Sequence, residues 1–305
     1  MASSEVVAEP RPASGSLPEW IRSRPPGGPV YVGVRDLLEG LGLETVCREA
    51  RCPNLSECWS AGTATLMLLG TECTRRCAFC AVTTHWPKGV VDRTEPDRVA
   101  RAVAAWGLRY VVLTQVCRDD LPDGGAEVLS ETVRAIRRAS PRTKVELLAG
   151  DLGGGREALS TVLADPPDVF AHNLETVRSL SRSVRDPRAG YDRSLEVLAS
   201  ARELGPARLV LKSSIMLGLG EEVPEVETAM ADLRSAGVDL LTFGQYLRPS
   251  RAHWPVGRFL PPNEFAQWKE RALAVGFSGV ESGPMVRSSY HAEELFDRAA
   301  AGRGA

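Results

Sequence analysis

The stretch that most constrains this chain is GTECTRRCAFCAV, residues 70–82, which sets Cys73, Cys77 and Cys80 in the spacing C-x3-C-x2-C. Three thiolates this close suit a cubane iron–sulfur cluster, each holding one iron and leaving the fourth iron open to an exogenous ligand. Two other uses of cysteine compete. A disulfide framework belongs to secreted chains, but no secretory h-region is visible and the seven cysteines are an odd number. Structural zinc takes four closed ligands, commonly as two C-x2-C pairs, and one such pair is present here. The cluster is the better reading. Just before it, residues 65–69 (TLMLL) form a short apolar run that ends at Gly70, the pattern of a buried parallel strand feeding a loop. Ligands on a loop after a strand sit where α/β barrels place their active sites.

A chain of 305 residues, 43% of them hydrophobic, can bury one large core without division into two domains. Its 37 Lys and Arg against 39 Asp and Glu give a formal charge of −2 and contain no basic block of the kind that neutralises phosphates. Nucleic acid is therefore disfavoured as a partner. No run approaches the roughly 18 apolar residues that a membrane helix needs, so no membrane partner is expected. Cysteines held as thiolate ligands need a reducing compartment, which makes the cytoplasm the expected location.

Residues 1–28 are rich in Pro, Ser, Ala and Gly and read as a mobile arm. A transit peptide is the competing reading, opposed by Glu5 and Glu9 ahead of Arg11 and by the lack of an Arg-rich amphipathic pattern. A short helix is expected over residues 34–41. From Arg93 onward amphipathic stretches alternate with apolar runs. Strands are expected at 109–113, 144–148, 168–171, 208–211 and 238–243 in addition to 65–69, with helices over 96–105, 124–138, 191–204 and 224–236. Six strands with right-handed crossovers make an α/β fold, a partial (β/α)6 TIM-like barrel. A doubly wound open sheet has the same rhythm, but polar motifs after successive strands favour the barrel. The expected divisions are the arm at 1–28, a cysteine-bearing extension at 29–62, the barrel at 63–260, and a C-terminal helix and tail at 261–305.

The extension contains a second cysteine group, ETVCREARCPNLSECW (44–59), with Cys47, Cys52 and Cys58 spaced C-x4-C-x5-C. A zinc knot would again lack a fourth nearby ligand, so a second cluster is favoured over zinc or inert thiols. After the second strand, TQVCRDDLPDGGA offers Gly124 and Gly125, which would let backbone approach a ligand and leave amides free. An ordinary Asp-Gly turn accounts for that spacing equally well. HNLETV places His172, Asn173 and Glu175 after the fourth strand, where a helix cap also explains Asn173. LKSSIMLGLGE places Lys212 and Ser213 beside a glycine-rich turn, and Cys117 has no ligand partner by spacing.

C-x3-C-x2-C with Phe79 before the last cysteine resembles the signature of radical S-adenosylmethionine (SAM) enzymes. CREARCPNLSECW, GTATLMLLG and CTRRCAFCAV together resemble lipoyl synthases, as do RAGYDRSLEVL (188–198), GQYLRPS (244–250) and SGPMVRSSYHAEE (282–294). The resemblance spans roughly residues 44–294. It implies a radical SAM partial barrel whose N- and C-terminal extensions carry an auxiliary cluster, with two 4Fe–4S clusters and SAM as cofactors. The implied reaction is the insertion of two sulfur atoms, at C6 and C8 of an octanoyl-lysine on a lipoyl-carrier domain. Implied carriers are 2-oxoacid dehydrogenase acyltransferase subunits and the glycine cleavage H protein, with an external electron donor such as ferredoxin or flavodoxin.

Carried over by position, Cys73, Cys77 and Cys80 would hold the SAM-binding cluster. Cys47, Cys52 and Cys58 with Ser289 would hold the auxiliary one. Gly124, Gly125, Asn173, Glu175 and Lys212 would meet SAM, Asn173 and Glu175 at its ribose or methionyl group. By spacing alone Ser288-Ser289-Tyr290 reads as a surface turn. Departures from the family pattern fall at Cys117, at LLAGDL (147–152), at SSIM (213–216) and at Arg248. They leave room for another radical SAM sulfur-inserting enzyme, similar to biotin synthase, or for a lipoyl synthase paralogue with an altered substrate.

Overall fold

The computed structural model describes residues 17–22, 25 and 27–302. Helix α1 (Pro29–Gly40), strand β1 (Glu44–Thr45) and the short helices α2 (Val46–Glu49) and α3 (Leu55–Ser60) form the N-terminal extension. The barrel begins with β2 (Thr65–Leu68), followed by the strand pair β3 (Glu72–Cys73) and β4 (Thr83–Thr84). The βα units then run α4 (Glu95–Trp106), β5 (Tyr110–Gln115), α5 (Ala126–Ala139), β6 (Lys144–Leu148), α6 (Arg156–Ala164) and β7 (Val169–Ala171). They continue with α7 (Arg178–Val184), α8 (Tyr191–Leu204), β8 (Val210–Leu217), α9 (Val223–Ser235) and β9 (Leu240–Gln245). The chain closes with α10 (Pro262–Val275), β10 (Gly279–Gly283) and α11 (Ala292–Gly302).

Among the described residues the main sheet has the order β1-β2-β5-β6-β7-β8-β9-β10, with every pairing parallel except β1 on β2. All six expected strands are in it. A seventh parallel strand, β10, extends the barrel beyond six, and the two-residue β1 is added at the other edge. β1 and β10 do not pair with each other, so the barrel stays open. The sequence of β10, GVESG, hides this strand: two glycines and two polar residues leave one large apolar side chain to signal it.

Helix boundaries follow local chemistry. Pro29 starts α1 five residues ahead of the expected position, because its fixed φ suits the first helical turn. Gly107 ends α4 in the left-handed conformation, with φ +67°. On α5, Val128, Leu129, Val133 and Ile136 are buried, while the arginines at its end lie on the outer side. At the foot of the barrel Tyr110, Val112, Val169, Val210 and Leu240 pack against Ala292, Leu295 and Ala299 of α11. The C-terminal helix thus plugs the end of the barrel opposite the strand C-termini.

Residues 17–22 of the expected arm are seated on the barrel, with Ile21 buried and Trp20 Nε1 donating to Leu260 O at 3.1 Å. Apart from residues 25, 27 and 28, the rest of that arm lies outside the described residues. No helix among the described residues is long and apolar enough to cross a membrane.

Candidate active site

The loop carrying Cys73, Cys77 and Cys80 leaves β2 through Leu69 (φ +67°) and Gly70 (φ +88°), and its two ends are joined by the β3–β4 pair. Several neighbouring segments contribute a fastening. From the β5 loop, Asp119 accepts from Arg75 Nε (3.0 Å) and Nη2 (2.7 Å), and from Thr74 Oγ1 (2.6 Å). From the β6 loop, Asp151 accepts from Arg75 Nη1 (2.7 Å) and Nη2 (2.6 Å). From the last residue of α7, Val184 O accepts from Ala78 N (2.8 Å), and from the segment after it Asp186 accepts from Arg76 N (2.9 Å). From the β9 loop, Trp254 N donates to Ala78 O (2.8 Å) and His253 Nε2 to Cys80 O (3.0 Å).

Arg75 is 5% exposed and saturated by two carboxylates, the planar fork geometry for which arginine is suited. Burial alone would raise Asp119 and Asp151, but the Arg75 guanidinium outweighs it and holds both below the ordinary carboxylate range. Sequence reasoning missed this clamp. Its only signal was the Arg118-Asp119-Asp120 run beside Cys117.

The sulfurs sit in contrasting surroundings. Cys73 is pulled down to about 6, first by a hydrogen bond from the Cys117 thiol and further by the Arg75 backbone N–H and side-chain charge. Cys77 is raised by burial, although Asp186 N donates to its sulfur at 3.3 Å, and burial pushes Cys80 up to about 12. All seven cysteines are free. Among the described residues, no three His, Cys, Asp or Glu side chains are grouped as a site for one metal ion.

Beside the loop, the mouth of the barrel holds buried polar atoms without partners, Gln115 Oε1 on β5, Asn173 Oδ1 after β7 and Arg185 Nε after α7, with Thr242 Oγ1 on β9 deeper in the barrel. Such atoms are costly unless a ligand completes them. Asn173 Nδ2 donates to Glu175 Oε1 at 3.1 Å. Glu175 is held at φ +69° by backbone bonds to Ser214 and Met216, and burial raises its carboxyl. The residues therefore fit a polar, partly charged small molecule next to the cysteine loop.

Other expected contacts are engaged within the protein. Lys212 Nζ lies 2.8 and 3.0 Å from the two oxygens of Glu146, which also accepts from Tyr110 OH at 2.6 Å, all inside the barrel. Gly125 N and Glu127 N donate to Asp123 (both 2.9 Å), and Gly124 N to Leu121 O. The glycine pair instead permits close packing, since a Cβ on Gly124 would come within 2.9 Å of Leu152 Cα and one on Gly125 would strike Leu69. His172 donates to Ala149 O and accepts from Ser194 Oγ, both at 2.9 Å, and burial takes it down to about 4, so the ring is neutral.

In the extension Cys47 is buried within α2, Cys52 follows it and Cys58 lies on α3. Burial raises Cys47 and pushes Cys58 up to about 12. The tail reaches this segment from the far end of the chain. Asn54 Nδ2 donates to Met285 O at 2.5 Å and Tyr290 OH to Glu57 Oε1 at 2.9 Å. Ser289, half-buried, lies between these two attachments. Asn54 Oδ1 and Trp59 Nε1 are buried there without partners, so this segment also has polar groups left for an added group.

Residues 67–233 match the family model described as the radical SAM superfamily. The lipoyl synthase of Thermus thermophilus is 53% identical over 95% of this chain and 89% of its own length. That of Symbiobacterium thermophilum is 54% identical over 94% and 88%. The chain belongs to the lipoyl synthase family. Among solved structures, the FeFe-hydrogenase maturase HydG from Carboxydothermus hydrogenoformans has a similar fold, with a TM-score of 0.54, 14% identity, and coverage of 88% of this chain and 61% of that one. As a lipoyl synthase of the radical SAM superfamily, the protein is a sulfurtransferase that works with a 4Fe–4S cluster and SAM.

Proposed function

We propose that this enzyme inserts sulfur at C6 and C8 of an octanoyl chain held on a lysine of a carrier protein, using two 4Fe–4S clusters. Cys73, Cys77 and Cys80 would hold the cluster that binds SAM. Cys47, Cys52, Cys58 and Ser289 would hold the second. When bound, the first cluster and SAM supply a 5′-deoxyadenosyl radical and the second cluster supplies sulfur. The chain's own part is positioning. Asp119, Asp151, Asp186 and Val184 fix the loop of the first triplet, while Asn173, Glu175 and Arg185 offer a polar cradle for SAM. Carrier acyltransferase subunits or H protein, a ferredoxin or flavodoxin donor, and a cytoplasmic location complete the reading.

The observation that carries it is the meeting of the two ends of the chain. The Asn54–Met285 and Tyr290–Glu57 bonds join residues 231 and 233 positions apart, and so bring the serine-bearing tail onto the second cysteine triplet. A hydroxyl oxygen is a hard ligand beside soft thiolates, one that a cluster giving up sulfide can release.

Two measurements test the reading. Anaerobic reconstitution should give about eight irons per chain, and mass spectrometry of an octanoyl-lysyl carrier peptide incubated with SAM and dithionite should find both sulfurs. Ser289→Ala should still yield 5′-deoxyadenosine but little doubly thiolated peptide, with Ser288→Ala close to the parent. Reconstitution that stops at four irons would sink the two-cluster model, and normal product from Ser289→Ala would remove the serine from the ligand set.

A further inference from the structure

On β9 alternate residues face the barrel interior. Leu240 does so at the foot, where it packs with Tyr110, Val112, Val169 and Val210. Thr242 comes next on the same face, its Oγ1 buried and unpartnered, and Gly244 follows at the mouth. A Cβ on Gly244 would run into the carbonyl oxygen of Val286, with the carbonyl carbon at 3.1 Å and Arg287 Nη1 at 3.3 Å. Gly244 is not among the positive-φ residues, so its lack of a side chain serves close approach rather than backbone conformation. The backbone of the tail occupies the space that any other residue would fill with a side chain.

The neighbouring residue of the tail is gripped from the other side. Asn54, 2% exposed and belonging to the extension, donates to Met285 O. Met285 and Val286 are thus held between the extension and the barrel, in a turn closed by Val286 N on Gly283 O (3.1 Å) and followed by Tyr290 N on Arg287 O (3.0 Å). Ser289 comes three residues after Val286, and the Tyr290–Glu57 bond follows it.

We propose that Gly244 and Asn54 are positioning residues for the sulfur-donor site: together they form the seat that fixes Ser289 over Cys47, Cys52 and Cys58. This rests on the reading of Ser289 as a ligand given above. Moving the Val286 carbonyl out of the way of a methyl group displaces the tail on the order of 1 Å, a shift that costs roughly a hundredfold where a reacting group must be held in place.

The test uses the full-length reconstituted protein and compares Gly244→Ala, Asn54→Asp and Ser289→Ala. Asn54→Asp keeps the shape of the side chain but loses the donor. Three quantities are read: the EPR spectrum of the reduced clusters, 5′-deoxyadenosine yield, and amide hydrogen exchange over residues 285–290. Gly244→Ala and Asn54→Asp should move the spectrum toward that of Ser289→Ala, keep 5′-deoxyadenosine within about twofold of the parent, and lower protection of the tail about tenfold. A parent-like spectrum and parent-like protection in both, with an altered spectrum in Ser289→Ala, would overturn the seat while leaving the ligand assignment intact. A parent-like spectrum in Ser289→Ala would overturn the ligand assignment itself, whatever the other two do. If Gly244→Ala lacks a cooperative thermal transition, Asn54→Asp decides the outcome.

Discussion

The loop at Cys73, Cys77 and Cys80 is bolted to the barrel by charged groups from several strand ends, whereas the segment at Cys47, Cys52 and Cys58 is held by the β1–β2 pairing, by apolar burial of Cys47 and Trp59 and by two long-range side-chain bonds. The electrostatics differ at one sulfur. Donors and a guanidinium draw Cys73 down to about 6, while burial raises its neighbours Cys77 and Cys80 as it raises Cys47 and Cys58 in the extension. The barrel-loop seat is partly cationic, whereas the other combines apolar packing of Cys47 and Trp59 with polar groups from Asn54 and Glu57. The first draws its precision from a scaffold of parallel strands, the second from segments at either end of the chain.

The largest expected effect tests this division directly. Cys77→Ala should abolish 5′-deoxyadenosine formation, because the proposed SAM-binding cluster loses a ligand, while Cys52→Ala should still cleave SAM and give no lipoyl product. Liquid chromatography of both reactions reads this, and a Cys52→Ala protein unable to cleave SAM would break the comparison.

Next in size is the clamp. Arg75→Met removes the buried cation that Asp119 and Asp151 share, leaving Asp119 with the half-exposed Arg188 at 3.1 Å and Asp151 with Arg193 at 4.0 Å, and breaking a buried pair in this way costs about 3–5 kcal/mol. Thermal unfolding should shift down accordingly. Iron should fall toward four per chain, through loss at the barrel loop only, and equal loss at both sites would mean that the two seats are not independent.

A third effect appears with pH. His172 is neutral in the fold and lowered from 6.5 to about 4, first by burial and then by the Arg185 charge. The unfolded chain therefore takes up this proton more readily. The stability associated with His172 is fully present above pH 6.5 and is lost as pH falls toward 4, by on the order of 3 kcal/mol. His172→Gln should flatten the melting temperature of the cluster-free chain across that window. An unchanged slope would sink the His172 assignment, because the Arg75 carboxylates lose their advantage only below their ordinary value of 3.8, outside this window.

The smallest is Tyr290→Phe. Removing one hydrogen bond to Glu57 should cost about 0.5–1.5 kcal/mol and raise amide exchange in the tail without affecting that of the barrel loop. Faster exchange in both regions would contradict their separate attachment.

Much of the barrel was legible because its strands are continuous apolar runs and its cysteines have a spacing that few other uses of cysteine share. What was hidden depends on contacts between distant segments. Arg75 and Arg76 are adjacent and alike in the sequence, and only the fold makes the first a buried clamp. β10 carries too little apolar signal to be seen alone and is defined by its register with β9. Lys212 sits beside a glycine-rich turn in the sequence, yet the alternation of β8 aims it down the barrel at Glu146. Ser289 lies in a polar turn that is tied to a segment more than two hundred residues earlier by its neighbours Met285 and Tyr290.

The unpaired edges of the sheet have a mechanical consequence. β1 leads straight into the segment of Cys47, and β10 leads straight into the tail, so the two free margins of the barrel are clasped by side chains where a closed barrel would have a hydrogen-bonded ladder. A clasp of this kind can be undone while the parallel strands keep every ladder bond. Loss of those two bonds would leave the register of the sheet untouched, so the seam depends on side chains alone.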